Sequence, residues 1–486
     1  MSDNILKLNR RKMRIYLLIL IAALLVTPLW SHAKTETENE RARQIATKLV
    51  KAINSNNYRD LLEFSKNMIS KETLQRLGGA ESYADYLSAE SYFHGGFEFN
   101  SLSMVDSNPE EFRANAYLTS RNTGFVYRAE LTISSDNLSR LRFRAESYEP
   151  ENLNKPSEQE AIKMLSSYID QLDSKDVFSG AVAISKNGKL LMQKAVGMAS
   201  KRFNEPNNIN TRFNLGSMNK MFTAVTLLKL VEQGQLSLTD KVSKLLNITP
   251  KNALFNQIEV QHLLSHSSGV GAIHCEQGDV SITKSWTDCI EEISAIDVNF
   301  TPGSQYRYSS DGMFIVGLLI EYLTNNNYDD VIKKELLVPA DMLSTECLDL
   351  QYPVNNAAIG YYYHGKKQQW RNNLFIHNRK GDPAGGCYST VGDILKFANA
   401  LLTNKLLSPE LTNLALSAKT QFGAERYGFG FIVQLINGQK VVGHNGSFPG
   451  VSSQLDMNLT NGYNIVVLSN HSFAAAPVLA KFQQLF

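Results

Sequence analysis

The sequence predicts an α/β protein: an antiparallel sheet flanked by helices, with a helical subdomain inserted into it, preceded by a small α+β domain. Three observations carry this reading. Helical periodicity in the early chain gives way after Phe97 to alternating or aromatic-rich runs separated by turn residues. A polar stretch bounded by Pro150 and Pro156 then interrupts the pattern, and the domain boundary is set there. Beyond it, strand-like runs occur at the start and at the end of the remaining chain, with helical sequence between. One sheet closed by the N- and C-terminal segments accounts for that order. A chain of 486 residues also suits two domains better than one.

Residues 1–33 read as a signal peptide. Basic Arg10 to Arg14 precedes the uncharged run Ile15 to Trp30, and Ser31-His32-Ala33 offers small residues where a signal peptidase reads them. Cleavage after Ala33 is expected, with export to the periplasm. The alternative is an uncleaved anchor, for which the run is short against the roughly 20 residues a membrane span needs. The net charge is +2, and the basic leader accounts for it, so the rest gives no reason to expect a nucleic-acid partner.

Residues 34–150 form the first domain. Ala42, Ile45, Ala46, Leu49, Val50 and Ile53 share one helical stripe. Short helices follow through Leu77 and Tyr83–Leu87, then strands at Phe97–Val105, Phe112–Ser120, Gly124–Ile133 and Arg140–Tyr148. This order resembles the cone-shaped domains of the nuclear transport factor 2-like group. The likeness is compositional, names no site residue, and implies a spacer or docking module.

Residues 151–486 form the second domain. Ile162, Leu165, Tyr168, Ile169 and Leu172 make a helical stripe, and Lys186-Asn187-Gly188-Lys189 is a hairpin turn between apolar runs. Sequence from the Met221 helix to about residue 335 is mainly helical. Strands return at Tyr427–Leu435, Lys440–Gly443, Ser452–Met457 and Asn464–Leu468, and Ala474–Leu485 is the last helix. The four cysteines, Cys275, Cys289, Cys347 and Cys387, contain no Cys-x-x-Cys pair, which leaves a zinc or redox motif unsupported. In an oxidising compartment they allow two disulfides in three pairings, with Cys275–Cys289 the first choice; the alternative is four buried thiols.

The chemistry centres on Ser217-Met-Asn-Lys220. Ser217 starts a helix whose following residues, Met221 to Val231, are mostly apolar. A helix N-terminus favours developing negative charge, and Lys220 one turn on projects from the same face. A lysine in apolar surroundings is costly to charge, so its pKa falls and it can accept the serine proton. Ser-x-x-Lys recurs at Ser31–Lys34 and Ser281–Lys284, but neither has a long apolar helix behind it. Two further stretches contribute. Tyr308, after the Pro302-Gly303 turn, offers a hydroxyl for proton transfer. Gly443-His444-Asn445-Gly446-Ser447 ends a predicted strand, where Gly446 permits close backbone approach and the next N–H can join that of Ser217 in an oxyanion hole. Each has a structural alternative: a helix cap, a half-buried tyrosine, an Asn-Gly turn. His262 and His266 stand at i, i+4 spacing but lack an intervening Glu and a third ligand, so no metal is expected, nor any cofactor.

Ser217-Met-Asn-Lys220, Tyr308-Ser-Ser310 and His444-Asn-Gly446 stand in the order and spacing of the penicillin-recognising serine hydrolases. The closest likeness is to the group of class C β-lactamases, D-alanyl-D-alanine carboxypeptidases and esterases, over residues 175–486. His262-Leu-Leu-Ser-His-Ser-Ser-Gly269, Ala384-Gly-Gly-Cys-Tyr-Ser-Thr390 and Tyr427-Gly-Phe-Gly430 fit as well. The resemblance implies a β-lactamase-like fold and an acyl-enzyme on Ser217, with Lys220 and Tyr308 sharing the proton transfers. It also implies an oxyanion hole from the N–H groups of Ser217 and Ser447, and substrate contacts from Ser310, His444 and Gly446. The partner is then a small-molecule or peptide acyl substrate. Two departures bear on substrate choice. Ser310 is shorter than the family's asparagine, and His444 replaces the lysine that grips a substrate carboxylate in β-lactamases. Small neutral esters are therefore expected to outperform β-lactams. A binding or sensing protein on the same scaffold is the alternative. An α/β-hydrolase is set aside, since no Gly-x-Ser-x-Gly occurs.

Overall fold

The computed structural model describes residues 36–486 apart from 109, 135–136, 147–154, 274–288, 348, 351, 353 and 377–379. The predicted leader, Ser31–Lys34, Ser281–Lys284 and Cys275 of the first-choice disulfide lie outside the described residues. The chain divides into two compact units. One runs to Tyr148 and takes in His364–Gln369; the other comprises Glu149–Tyr363 and Trp370–Phe486.

The first unit opens with helices α1 (36–54), α2 (Tyr58–Met68), α3 (Lys71–Arg76) and α4 (Ala80–His94). All six stripe residues predicted for α1 are buried. Ser70 caps α3 by accepting the Thr73 N–H, and Gly95 ends α4 in the left-handed conformation that a side chain would resist. An antiparallel sheet follows in the order β1 (Phe97–Ser107), β2 (Glu111–Ser120), β3 (Val126–Ser134), β4 (Asn137–Ala145). Its inward face alternates along β2 and β3 through Phe112, Ala114, Ala116, Leu118, Tyr127, Ala129, Leu131 and Ile133. The last strand starts three residues before its expected position, because Leu138 pairs with Ile133 across a bulge.

The second unit begins with α5 (Glu158–Ser174), fixed at its start by a capping box between Ser157 and Glu160. Strands β5 (Gly180–Lys186) and β6 (Lys189–Val196) are joined at Asn187 and Gly188, both at positive φ as a tight two-residue hairpin requires. The interior elements include β7 (Phe213–Asn214), α6 (Lys220–Glu232), α7 (Ser310–Thr324), β8 (Tyr388–Ser389) and α8 (Val391–Leu402). The chain returns to the sheet with β9 (Ile432–Ile436), β10 (Gln439–Phe448), β11 (Val451–Asn458) and β12 (Tyr463–Ser469), and α9 (Ala475–Leu485) follows.

The six-stranded sheet has the order β9-β10-β11-β12-β5-β6. The expected closure is made where β12 pairs antiparallel with β5, Val467 opposite Val182. Both faces are covered. Ala181 and Ala183 join the cluster that holds Phe222 of α6 and Phe397 of α8, while the alternate residues Val182 and Ile184 point the other way and are also buried. Helices α5 and α9 pack on the sheet as well. Helix α6 is buried along nearly its whole length from Lys220 to Leu230, which explains its apolar sequence.

The turn alternative at Asn445-Gly446 is ruled out. Asn445-Gly446 is not a β-turn. Strand β10 continues through it to Phe448, with Asn445 opposite Gln454 and Gly446 opposite Ser453, and the chain reverses at Pro449-Gly450. Pairing with β11 outweighs the local turn preference of the Asn-Gly dipeptide.

Candidate active site

Ser217 lies on a 3₁₀ turn, Gly216–Asn219, between β7 and α6. That turn is held from both sides. The Leu215 N–H donates to the Cys387 carbonyl (2.8 Å), and Ser453 Oγ donates to the Leu215 carbonyl (2.6 Å). Asn214 Oδ1 accepts the Gly216 N–H at 2.8 Å. Gly216 has φ +50°, and a Cβ there would come within 3.1 Å of the Ser447 nitrogen. Glycine therefore lets β10 run directly against the serine turn. Gly446 does the same from the other side, since a Cβ on it would collide with the Leu215 carbonyl oxygen. The sequence reading gave Gly446 close approach to a ligand; its close approach is to the turn that carries Ser217.

Lys220 Nζ lies 3.0 Å from Ser217 Oγ and also donates to the Ala384 carbonyl. Its side chain is fully buried. Desolvation pushes its pKa down to about 8, opposed by the nearby carboxylates of Asp382 and Asp311. The expected lowering of this lysine is thus present and has the expected cause.

The loop 382–387 was missed as a working part. Asp382 Oδ1 accepts the N–H groups of Ala384 (2.6 Å) and Gly385 (2.9 Å), which folds the loop so that the Ala384 carbonyl meets Lys220. Asn219, between Ser217 and Lys220, clamps the loop with Nδ2 to the Asp382 carbonyl (2.9 Å) and Oδ1 to the Cys387 N–H (3.3 Å). A Cys347–Cys387 disulfide anchors its end. That bond is the one that accompanies the first-choice Cys275–Cys289 pairing, and it replaces the alternative of four buried thiols. The signal for the loop was present in Gly385-Gly386-Cys387, whose glycines leave room for backbone beside the serine turn.

Tyr308 precedes α7, whose N-cap Ser309 accepts the Gly312 N–H at 2.9 Å. The tyrosine ring lies under Lys220 Nζ, 5.1 Å from the ring centroid, and against His266 at 4.4 Å between centroids. Burial raises the phenol to about 12, and a hydrogen bond from Ser217 acts the other way. These contacts cover part of the ring, and 41 % of the residue's surface remains exposed. Serine, lysine and tyrosine are therefore brought together as the motifs suggested.

The two histidines set aside as metal ligands have structural partners. His262 Nδ1 accepts the Glu259 N–H at 3.1 Å, and His266 Nδ1 accepts the Ser309 N–H at 3.3 Å. His266 also supports the Tyr308 ring, a role the sequence did not suggest.

A cleft of about 320 Å³ opens beside Ser217. Ser310 and Ser447 line it, as expected of them, together with Asp311, Phe314, Asp382 and Phe448. Lys380 also lines it but is paired with Asp329. His444 departs from expectation. It is 1 % exposed and is not among the cleft-lining residues. Its Nε2 lies 3.0 Å from the Tyr427 hydroxyl and its Nδ1 2.6 Å from the Asn445 carbonyl. Both ring nitrogens are thus engaged inside the protein, and desolvation holds the imidazole pKa at about 3.

Known proteins share this arrangement of chain and fold. A family profile described as Beta-lactamase matches residues 165–485, about two thirds of the chain. Penicillin-binding protein 4* of Bacillus subtilis (strain 168) is 25% identical over 329 residues, covering 63% of this chain and 71% of that protein. Protein flp of Staphylococcus aureus (strain NCTC 8325 / PS 47) is 26% identical over 312 residues, covering 62% of this chain and 61% of its own length, so the chain spans less than two thirds of it. The crystal structure of D-amino acid amidase from Ochrobactrum anthropi SV3 superposes with a TM-score of 0.56 at 21% identity, covering 67% of this chain and 97% of that one, and shows the fold. The chain belongs to the beta-lactamase family of serine hydrolases.

Proposed function

We propose that the protein is an exported serine hydrolase that cleaves an ester, amide or D-amino-acid peptide through an acyl-enzyme on Ser217. The observation that carries this reading is the buried Lys220 Nζ 3.0 Å from Ser217 Oγ, with a pKa lowered to about 8. Neutral Lys220 takes the serine proton as Oγ attacks the acyl carbon. The N–H groups of Ser217 and Ser447 receive the negative charge that develops on the carbonyl oxygen. Tyr308, still protonated below about pH 12, gives its proton to the leaving alcohol or amine and is recharged from Lys220. Water then attacks the acyl-enzyme by the same route in reverse. Ser310 contacts the bound substrate from the start of α7.

The substrate is a neutral acyl donor in preference to one carrying a free carboxylate. The cleft supports this with two carboxylates of its own, Asp311 and Asp382, and with Lys380 already engaged by Asp329. The D-amino acid amidase likeness and the penicillin-binding relative support an acyl substrate of either kind. The first unit, helices followed by a four-stranded antiparallel sheet, supports its reading as a nuclear transport factor 2-like accessory domain.

Stopped-flow hydrolysis of p-nitrophenyl acetate tests the reading. The wild type should give a burst of one nitrophenolate per active site, absent in Ser217→Ala and slowed strongly in Lys220→Met. Hydrolysis of a penicillin with a higher kcat/KM than the acetate ester would overturn the substrate preference. No burst and no turnover of any acyl substrate would favour a binding protein on this scaffold.

A further inference from the structure

The strand that carries Ser447 is held by side chains to which the acyl-enzyme steps give no part. Tyr427 is 2 % exposed, and its hydroxyl meets Nε2 of His444. On the other side of the imidazole, Nδ1 meets the carbonyl of Asn445 at 2.6 Å. A carbonyl only accepts, so Nδ1 carries the proton and Nε2 accepts from Tyr427. Burial keeps this imidazole neutral, so a single tautomer persists. The next peptide is held too: Ser453 Oγ, which bonds the Leu215 carbonyl, also reaches the Gly446 carbonyl at 3.4 Å.

These bonds act on two successive peptide planes. The Asn445 carbonyl belongs to the first. The Gly446 carbonyl belongs to the second, whose N–H is that of Ser447. Because a peptide is planar, fixing its carbonyl fixes the direction of its N–H. Gly446 has no Cβ and a wide choice of backbone angles, so the strand needs such restraints where it passes the serine turn.

We propose that Tyr427 and His444 are positioning residues: the chain from the Tyr427 hydroxyl through His444 to the Asn445 carbonyl fixes the peptide plane before that of Ser447, and together with Ser453 on the Gly446 carbonyl it keeps the Ser447 N–H directed at the oxyanion, without touching substrate. The proposal rests on the acyl-enzyme reading above. It gives His444 a part that needs no charge and explains its burial behind the cleft.

Three variants assayed with p-nitrophenyl acetate test it. Tyr427→Phe keeps the ring and removes the donor to His444. His444→Leu removes both nitrogens. His444→Asn places an amide nitrogen where Nδ1 stood and keeps the donor to the Asn445 carbonyl. Removing one oxyanion donor costs about 10²–10³ in kcat, and a misaimed donor loses part of that. His444→Leu should therefore lower kcat by about tenfold or more with KM within about twofold, and Tyr427→Phe and His444→Asn, which each keep a donor to the Asn445 carbonyl but lose the Tyr427 bond, should both lose less. Full kcat in His444→Leu, an equal loss in His444→Asn and His444→Leu, or a rise in KM alone would overturn the proposal. If His444→Leu does not fold, Tyr427→Phe and His444→Asn are each compared with the wild type, and full kcat in Tyr427→Phe overturns it. Intact-mass labelling of the wild type by a fluorophosphonate separates the two levels. An unlabelled Ser217 ends the acyl-enzyme reading and this proposal with it. A labelled Ser217 with unaffected variants ends only this proposal.

Discussion

The pH dependence of acylation follows from the surroundings of Lys220. Desolvation of its buried amine lowers the pKa to about 8, and Asp382 and Asp311 limit the fall. The neighbouring imidazoles of His266 and His444 are neutral near pH 7, and Tyr308 stays protonated to about 12. Of these site groups, Lys220 is then the one that titrates between neutral and mildly alkaline pH. Its neutral fraction is about a tenth near pH 7 and about nine tenths near pH 9, so acylation should rise about tenfold across that interval. Pre-steady-state burst rates with p-nitrophenyl acetate, taken in half-unit steps, would record the limb. Asp382→Asn removes a charge that raises the lysine pKa and keeps an oxygen for the Ala384 and Gly385 N–H groups. It should move the limb to lower pH. The same shift has a stability counterpart. The folded pKa lies below the unfolded value of 10.5, so the unfolded state binds the extra proton and stability rises with pH from about 8 to 10.5. The penalty, about 3 kcal/mol at 1.36 kcal/mol per unit, is fully present below about pH 8. A flat burst rate between about pH 7 and 9, or a limb that moves upward in Asp382→Asn, would refute this reasoning.

Three other outcomes follow. Gly430→Ala should destabilise by about 1–3 kcal/mol, read as a lower urea midpoint, because φ is +78° and a Cβ would collide with that of Ala224 on α6. Cys387→Ser should destabilise by about 2–4 kcal/mol, read at the same midpoint, and slow acylation, since the disulfide closes a separation of 40 residues and its end bonds Leu215 beside Ser217. N-terminal sequencing of protein recovered after export should read from Lys34; an intact Met1 in the membrane fraction would contradict the leader.

Much of the fold was legible because it is periodic. The α1 stripe, the Asn187-Gly188 hairpin and the return of strands near the C-terminus are local patterns with local causes. Ser217, Lys220 and Tyr308 were legible as motifs, and the structure brings them together. What escaped was long-range. Asp382 and the Ala384 carbonyl lie more than 160 residues from Lys220, and nothing in their own sequence points to it. His444 was misjudged for the same reason. Its motif position suggested the cleft, but the hydroxyl of Tyr427 and the carbonyl of its own neighbour take both ring nitrogens. Asn445-Gly446 reads as a turn by composition and is overruled by its pairing with Gln454 and Ser453.

The central claim is a covalent bond at Ser217. Intact mass spectrometry of the protein after treatment with a fluorophosphonate, followed by peptide mapping, tests it directly. The account predicts one adduct per chain, on the peptide containing Ser217, absent in a folded Ser217→Ala variant. An adduct on Ser281, or one that survives Ser217→Ala, would contradict it.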